Sequence, residues 1–194
     1  IGTASPVTKL DVFGNARVTA PDSIVFNLAT GETFTIDNGA GVTLASNVTI
    51  GGLLYLDNGN LSVNNRTLIL NDSFLADAPY ALNVISTSNI SIGLGDAGPF
   101  GTLVTTGSTA INNLTFNRNG QTLNIGNNLT TNGTFIHDGN IAFNGVTLDI
   151  KGAYTPTSGS LIGNSTSILI ISGSGAITGD VPLSGTLGTL EINR

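Results

Sequence analysis

The sequence predicts an all-β fold, a right-handed parallel β-solenoid built from short strand-turn units of six or seven residues. Three observations predict it. Turn residues punctuate the chain at nearly constant spacing, apolar residues alternate between them, and a longer self-similarity of about 80 residues overlies the short one.

The short period is plainest from Thr122 onward, where cutting at the turn residues gives TLNIGN, NLTTNG, TFIHDG, NIAFNG, VTLDIKG, AYTPTSG and SLIGNST. A strand of about four residues followed by a Gly or Asn corner is what a solenoid coil needs, because these residues accept positive φ. Two or three such units make one coil. Leu123 and Ile125, Leu129, Ile141 and Phe143, and Leu148 and Ile150 are expected to line the core. Asn124, Ala142, Asp149 and Lys151 fall between or beside them and are expected to face solvent. No segment carries the i, i+3, i+4, i+7 pattern of a helix, and the run from Ile168 to Ile171 reads as a buried strand.

In the long repeat, residues 47–52 (NVTIGG) match 128–133 (NLTTNG), and residues 57–70 match 137–150. Upstream, VFNLATGETFTI from Val25 matches TFNRNGQTLNI from Thr115, and the terminal TLEINR matches NLTFNR at 113–118. The expected organisation is a head or assembly segment at 1–23, a first repeat copy at 24–113, a second at 114–189, and the start of a third at 190–194. The broken third copy suggests a parent chain that continues. Within the head, Leu10 and Val12, then Ala16 and Val18, have the alternation of a strand pair, suited to capping its own coil or joining a neighbour.

Composition narrows the function. The apolar share of 40% is enough for a core, while charged residues are only 9%, against roughly 25% in an average soluble chain, so the surface is polar but almost uncharged. With no Cys there is neither a disulfide framework nor a thiolate metal site. A net charge of −6, with Lys9, Arg17, Arg66, Arg118, Lys151 and Arg194 scattered, offers no basic stripe for nucleic acid. No run approaches the 18 or more apolar residues of a membrane-spanning helix.

The stretches NLTFNR, GQTLNIGNNLTTNGTF, NGVTLDIKGAY and SGSLIGNSTSILIISGSGAITG resemble the Gly- and Asn-rich strand repeats of large secreted surface proteins of the Bacteroidetes type, over residues 24–194. The head, IGTASPVTKLDVFGNARV, is similar to segments of phage tail fibres and surface fibres. These resemblances imply an extracellular fibrous protein; the tail-fibre likeness also implies intertwined trimers as an alternative assembly.

Each candidate site has a plainer role. Asp37, Asp57 and Asp138 stand in TIDNGAG, LDNGN and IHDGN, where Asp and Asn bond to nearby backbone. His137, the one histidine, aligns with Asp57, so a turn or surface role is expected; a catalytic triad would need that histidine and a G-x-S-x-G elbow, which does not occur. The D-N-G-N and H-D-G-N turns match no EF-hand or nonapeptide calcium pattern. Nine Asn-x-Ser/Thr sequons occur, at Asn47, Asn60, Asn65, Asn71, Asn89, Asn113, Asn128, Asn132 and Asn164. Thr33, Thr35, Thr130 and Thr131 do not recur as the flat ladder of an ice-binding face. Tyr55 aligns with Phe135, which places it in the core rather than on a sugar platform; Tyr80 and Tyr154 are the other tyrosines.

The expectation is therefore a non-enzymatic structural repeat protein outside the cell, part of a stalk, fibre or adhesin, with no catalytic, cofactor or metal residues. Its partners would be copies of itself or further repeats, end to end, with surface glycans as a second possibility. A glycan-binding solenoid is the alternative, and a polysaccharide-degrading β-helix the third reading.

Overall fold

A computed structural model describes residues 23–26, 28, 31–93 and 98–194. The head at 1–23, with its expected strand pair, lies outside them except for Ser23. Among the described residues the chain is all β, and every strand pairing is parallel, in coils stacked as a solenoid of about seven turns.

The first coil contains β1 (Ser23–Phe26), β2 (Thr33–Asp37) and β3 (Val42–Thr43). The second contains β4 (Asn47–Ile50), β5 (Leu53–Asn58) and β6 (Leu61–Asn64), and the third β7 (Thr67–Leu70), β8 (Phe74–Ala76) and β9 (Leu82–Val84). The fourth is more broken: β10 (Asn89–Ile92), β11 (Thr102–Leu103), β12 (Thr105–Thr106) and β13 (Ala110–Ile111). Next come β14 (Asn113–Ile125) with β15 (Leu129–Thr131), then β16 (Phe135–Ala142) with β17 (Thr147–Ile150). The last two coils hold β18 (Tyr154–Ser158), β19 (Leu161–Gly163) and β20 (Ile168–Ser172), then β21 (Leu183–Gly185) and β22 (Thr189–Asn193).

One column stacks β1, β4, β7, β10 and the first halves of β14 and β16, then β18. Its strands start at Ser23, Asn47, Thr67, Asn89, Asn113, Phe135 and Tyr154, so a coil consumes about 19 to 24 residues, or three of the short units. β14 and β16 bend around a corner and contribute to two columns. The units TFIHDG and NIAFNG thus form one strand rather than two.

Alternation fills the lumen as the sequence pattern requires. Leu123, Ile125, Leu129, Ile141, Phe143, Leu148 and Ile150 are all buried, while Asn124 and Lys151 are exposed and Asp149 is half-buried. Ala142 departs from its expected place: it is buried, because β16 ends its alternation there, before the corner. In β20 only Leu169 and Ile171 face inward, so the run alternates rather than being buried throughout.

At the corners the strand ladder breaks, and side chains complete it. The amide oxygens of Asn47, Asn60, Asn128, Asn140 and Asn113 accept the backbone N–H of Thr67, Ala81, Thr147, Ser160 and Thr134, each one coil later, at 2.6 to 3.0 Å. Elsewhere the backbones approach too closely for any side chain. A Cβ on Gly152 would lie 1.4 Å from the Gly133 carbonyl oxygen, and one on Gly175 2.1 Å from the Gly152 carbonyl carbon, so three glycines stack at one corner.

The long repeat does not map onto whole coils. β4 and β15 match in sequence, yet β4 stacks with β7 and β10, whereas β15 stacks with β13, β17 and β20 in a different sheet. Val25 aligns with Thr115 but Asn47 with Asn128, so the second copy lacks about nine residues, one strand-turn unit, corresponding to the stretch that carries β3. The chain absorbs this by advancing one face. The first half of β14 therefore pairs with β16, through Thr115 beside Ile136.

Arg118 sits where the copies meet. It is not one of a set of scattered surface cations: it is 3% exposed, its guanidinium donating to the carbonyls of Gly93 (3.0 Å), Gly98 (3.4 Å) and Asp72 (2.5 Å) and lying 5.3 Å from the centre of the Phe100 ring. One side chain so ties together three successive coils.

Since the chain has no cysteine, Thr115→Cys with Ile136→Cys should oxidise to an intramolecular disulfide, being opposed on neighbouring strands about 4.8 Å apart. Thr115→Cys with Thr130→Cys should not, and a gel-mobility assay giving the opposite result would mean that the copies stack without rotation. Thr131 is fully buried between Ile111 and Ile150, and its hydroxyl has no hydrogen-bond partner among the described residues. Thr131→Val should therefore raise stability by about 1 kcal/mol in urea melts, by removing an unsatisfied hydroxyl at nearly constant volume.

Candidate functional site

Strands β2, β5 and β8 form a three-stranded sheet whose inward positions are taken by Phe34 and Ile36, Leu54 and Leu56, and Phe74. Strict alternation then sends Thr35, Tyr55 and Leu75, which are register partners, outward as one row across three coils. Tyr55 is half-buried and Leu75 is 49% exposed. The expected core placement of Tyr55 is thus corrected.

The reason is a difference in corner geometry between the two copies. In the first, the inward residues step from Leu56 to Gly59 to Leu61, with one extra residue at the corner; in the second, Phe135, His137, Gly139 and Ile141 alternate without a break. Gly59, at φ 148°, and Gly139, at φ 137°, take the corner positions, where a Cβ would meet a carbonyl oxygen of the coil below at 2.0 and 2.3 Å. Upstream of the corner the two aligned strands therefore have opposite faces inward.

Around Tyr55 a polar cluster gathers. Its hydroxyl donates to Asp77 Oδ2 at 2.6 Å and lies 3.2 Å from Asp57 Oδ1, so two carboxylates share one phenol proton. The hydrogen bond to Asp77, with desolvation and the two negative charges behind it, pushes the phenol pKa up to about 12. Beside it, the Tyr80 hydroxyl donates to Asn58 Oδ1 at 2.7 Å, and the Tyr80 N–H to the Asp77 carbonyl at 2.7 Å. Neither Asp57 nor Asp77 is ion-paired among the described residues, where the single bridge joins Lys151 to Asp149.

His137 lies in the lumen, fully buried, and its expected turn or surface role is likewise corrected. Its Nδ1 is 2.7 Å from the Gly139 carbonyl oxygen, which accepts only, so Nδ1 carries the proton and Nε2 accepts from the Tyr154 hydroxyl at 2.7 Å. Phe135 and Tyr154 pack against the imidazole at 5.7 and 5.6 Å between ring centres. Burial lowers the pKa of His137, and burial raises that of Tyr154, so both are neutral. The pair has satisfied partners within the core, which is how polar groups persist in a lumen.

The remaining candidates are dispersed. Asp37 is exposed at the end of β2, and the adjoining turn is closed by Asn38, whose Oδ1 accepts the Ala40 N–H at 3.1 Å. Asp138 accepts from the Ser158 hydroxyl across one coil. Thr33 and Thr35, half-buried on β2, lie on a different sheet from Thr130 and Thr131, which are neighbours on β15 with opposite faces, Thr130 half-buried and Thr131 inward. Of the sequons, Asn47, Asn60, Asn113 and Asn128 serve in the corner bonds described above. No group of three His, Cys, Asp or Glu side chains that would hold a metal ion occurs among the described residues. No protein-family model, curated protein or solved structure matches the chain.

The buried histidine makes stability depend on pH. Unfolded, His137 takes up a proton near its ordinary pKa of about 6.5; folded, it does so only at lower pH, so stability is complete above about 6.5 and falls as pH drops below it, by at most about 1.4 kcal/mol per pH unit. Melting temperatures of the parent should fall between pH 7 and 5, and His137→Gln should flatten that decline. An equal decline in the variant would assign it to other groups.

Proposed function

We propose that the chain is a length of an extracellular structural repeat protein, a stretch of surface stalk, fibre or adhesin that works without catalysis. The supporting observation is the unbroken stacking: apolar side chains fill the lumen from Ile36 to Ile171, and each coil is hydrogen-bonded to the next. A coil cannot bury its own apolar edge, but a further coil buries it and adds about 4.8 Å of length. Length then scales with the number of coils, which is the property a spacer requires.

The register of the inward rows supports end-to-end stacking as the mode of assembly. Leu183 continues the inward row of Leu161, while Leu190 and Ile192 continue those of Leu169 and Ile171, and the three are 43, 48 and 63% exposed. Rows that run in register from coil to coil are what end-to-end stacking requires.

Electron micrographs of the native material test this. Rods or fibres several times longer than the roughly 34 Å of seven coils are expected. Isolated compact particles, or release of reducing sugar from a panel of polysaccharides, would overturn the proposal.

A further inference from the structure

We infer that the outward row on β2, β5 and β8 is a binding site for a neutral glycan, with Tyr55 and Leu75 as its apolar floor, Tyr80 packed beside them against the core, and Asp57, Asp77 and Asn58 as its polar edge. The inference rests on the fold and this face alone, not on the stalk reading.

Its chemistry is that of a sugar rather than of a protein core or a metal. A pyranose presents C–H groups on its faces and hydroxyl donors around its rim. The row offers partly exposed apolar surface in Tyr55 and in Leu75, which is 49% exposed, and beside it two carboxylates with spare acceptor capacity. Asp57 and Asp77 divide one phenol proton between them, and their contacting oxygens lie within about 6 Å of each other. Ionised carboxylates accept up to about four hydrogen bonds each, so vicinal sugar hydroxyls supply the missing donors.

The tyrosines are held for this purpose from both sides. Tyr55 is bound to Asp77 one coil later, and Tyr80 reaches back one coil to Asn58, so each aromatic is anchored by a residue of the other's coil. A preorganised ring loses little freedom on binding. Charge selects among sugars: a uronate would bring its carboxylate against Asp57 and Asp77, whereas a neutral hexose chain meets no repulsion.

The chain contains no tryptophan, so emission comes from its three tyrosines, of which Tyr55 and Tyr80 stand at the site and Tyr154 lies in the lumen away from solvent. The full chain should be titrated in EDTA with neutral glucose, mannose and galactose hexaoses, and with an oligogalacturonate of the same length, by tyrosine emission and calorimetry. Saturable binding is expected for at least one neutral oligosaccharide and not for the uronate. Tyr55→Ala with Leu75→Ala should weaken it by about tenfold or more, with unchanged circular dichroism, while Ile85→Ser, at another exposed apolar position, should leave it intact. If the double alanine variant misfolds, Asp57→Asn with Asp77→Asn keeps the shape of the face and should lose the neutral sugar to a similar degree. No saturable response to any neutral oligosaccharide, preference for the uronate, or full affinity in the Asn variant would overturn the site. A chain that bound no sugar would leave the stalk proposal standing, because that is decided by micrographs.

Discussion

Everything in this molecule depends on the contact between one coil and the next. A strand of three to five residues cannot satisfy its own backbone or cover its own apolar face, and here both needs are met by a strand about 20 residues away in sequence. Parallel pairing supplies the hydrogen bonds along the axis, and the same stacking sets Leu148 on Leu129 and Leu169 on Leu148 inside. Stability is therefore carried along the axis, coil upon coil, in columns that cross the boundary between the two sequence copies.

That constraint is hardest to meet at the corners, where strands change direction and the ladder is interrupted. The chain meets it in three ways. Asn side chains pass their amide oxygen to the backbone of the next coil, as Asn47 does for Thr67. Buried Ser88 and Ser167, in matching STS triplets, bond the carbonyls of Asn64 and Phe143 across one coil. Stacked glycines such as Gly133, Gly152 and Gly175 let backbones touch where no side chain would fit. The high Asn, Ser and Gly content is thus explained by corner chemistry, and the sequons at Asn47, Asn60, Asn113 and Asn128 arise from the same demand.

Because each face of the coil offers the same kind of apolar interior, one strand-turn unit can be lost without breaking the stack. The second copy lacks the unit corresponding to β3, and its strands simply occupy the next column around. The seam is where the irregular features concentrate. Coil four is divided into four short strands, the Phe74 and Phe100 rings stack at 6.1 Å, and Arg118 binds carbonyls of two earlier coils. A buried guanidinium bonded to three carbonyls is a directional bolt, in contrast to the interchangeable leucines elsewhere.

The sequence by itself determined the all-β class, the strand-turn unit and the inward places of Leu123, Ile125, Leu129, Ile141, Phe143, Leu148 and Ile150, because alternation within a strand is local; that three units rather than two make a coil was decided by the stacking. The sequence also marked the long repeat, though not the column each copy would occupy. Tertiary structure alone decided the parity of the strands entering the corners at Gly59 and Gly139. The backbone of the coil below, about 20 residues away, comes about equally close to both glycines, yet one corner takes a residue more than the other, a count that no local alternation announces. On that one residue turns the difference between Tyr55, which points to solvent among carboxylates, and His137, which lies in the lumen against Tyr154. Arg118 was illegible for the same reason: only stacking brought the carbonyls of Asp72, Gly93 and Gly98 to a single point.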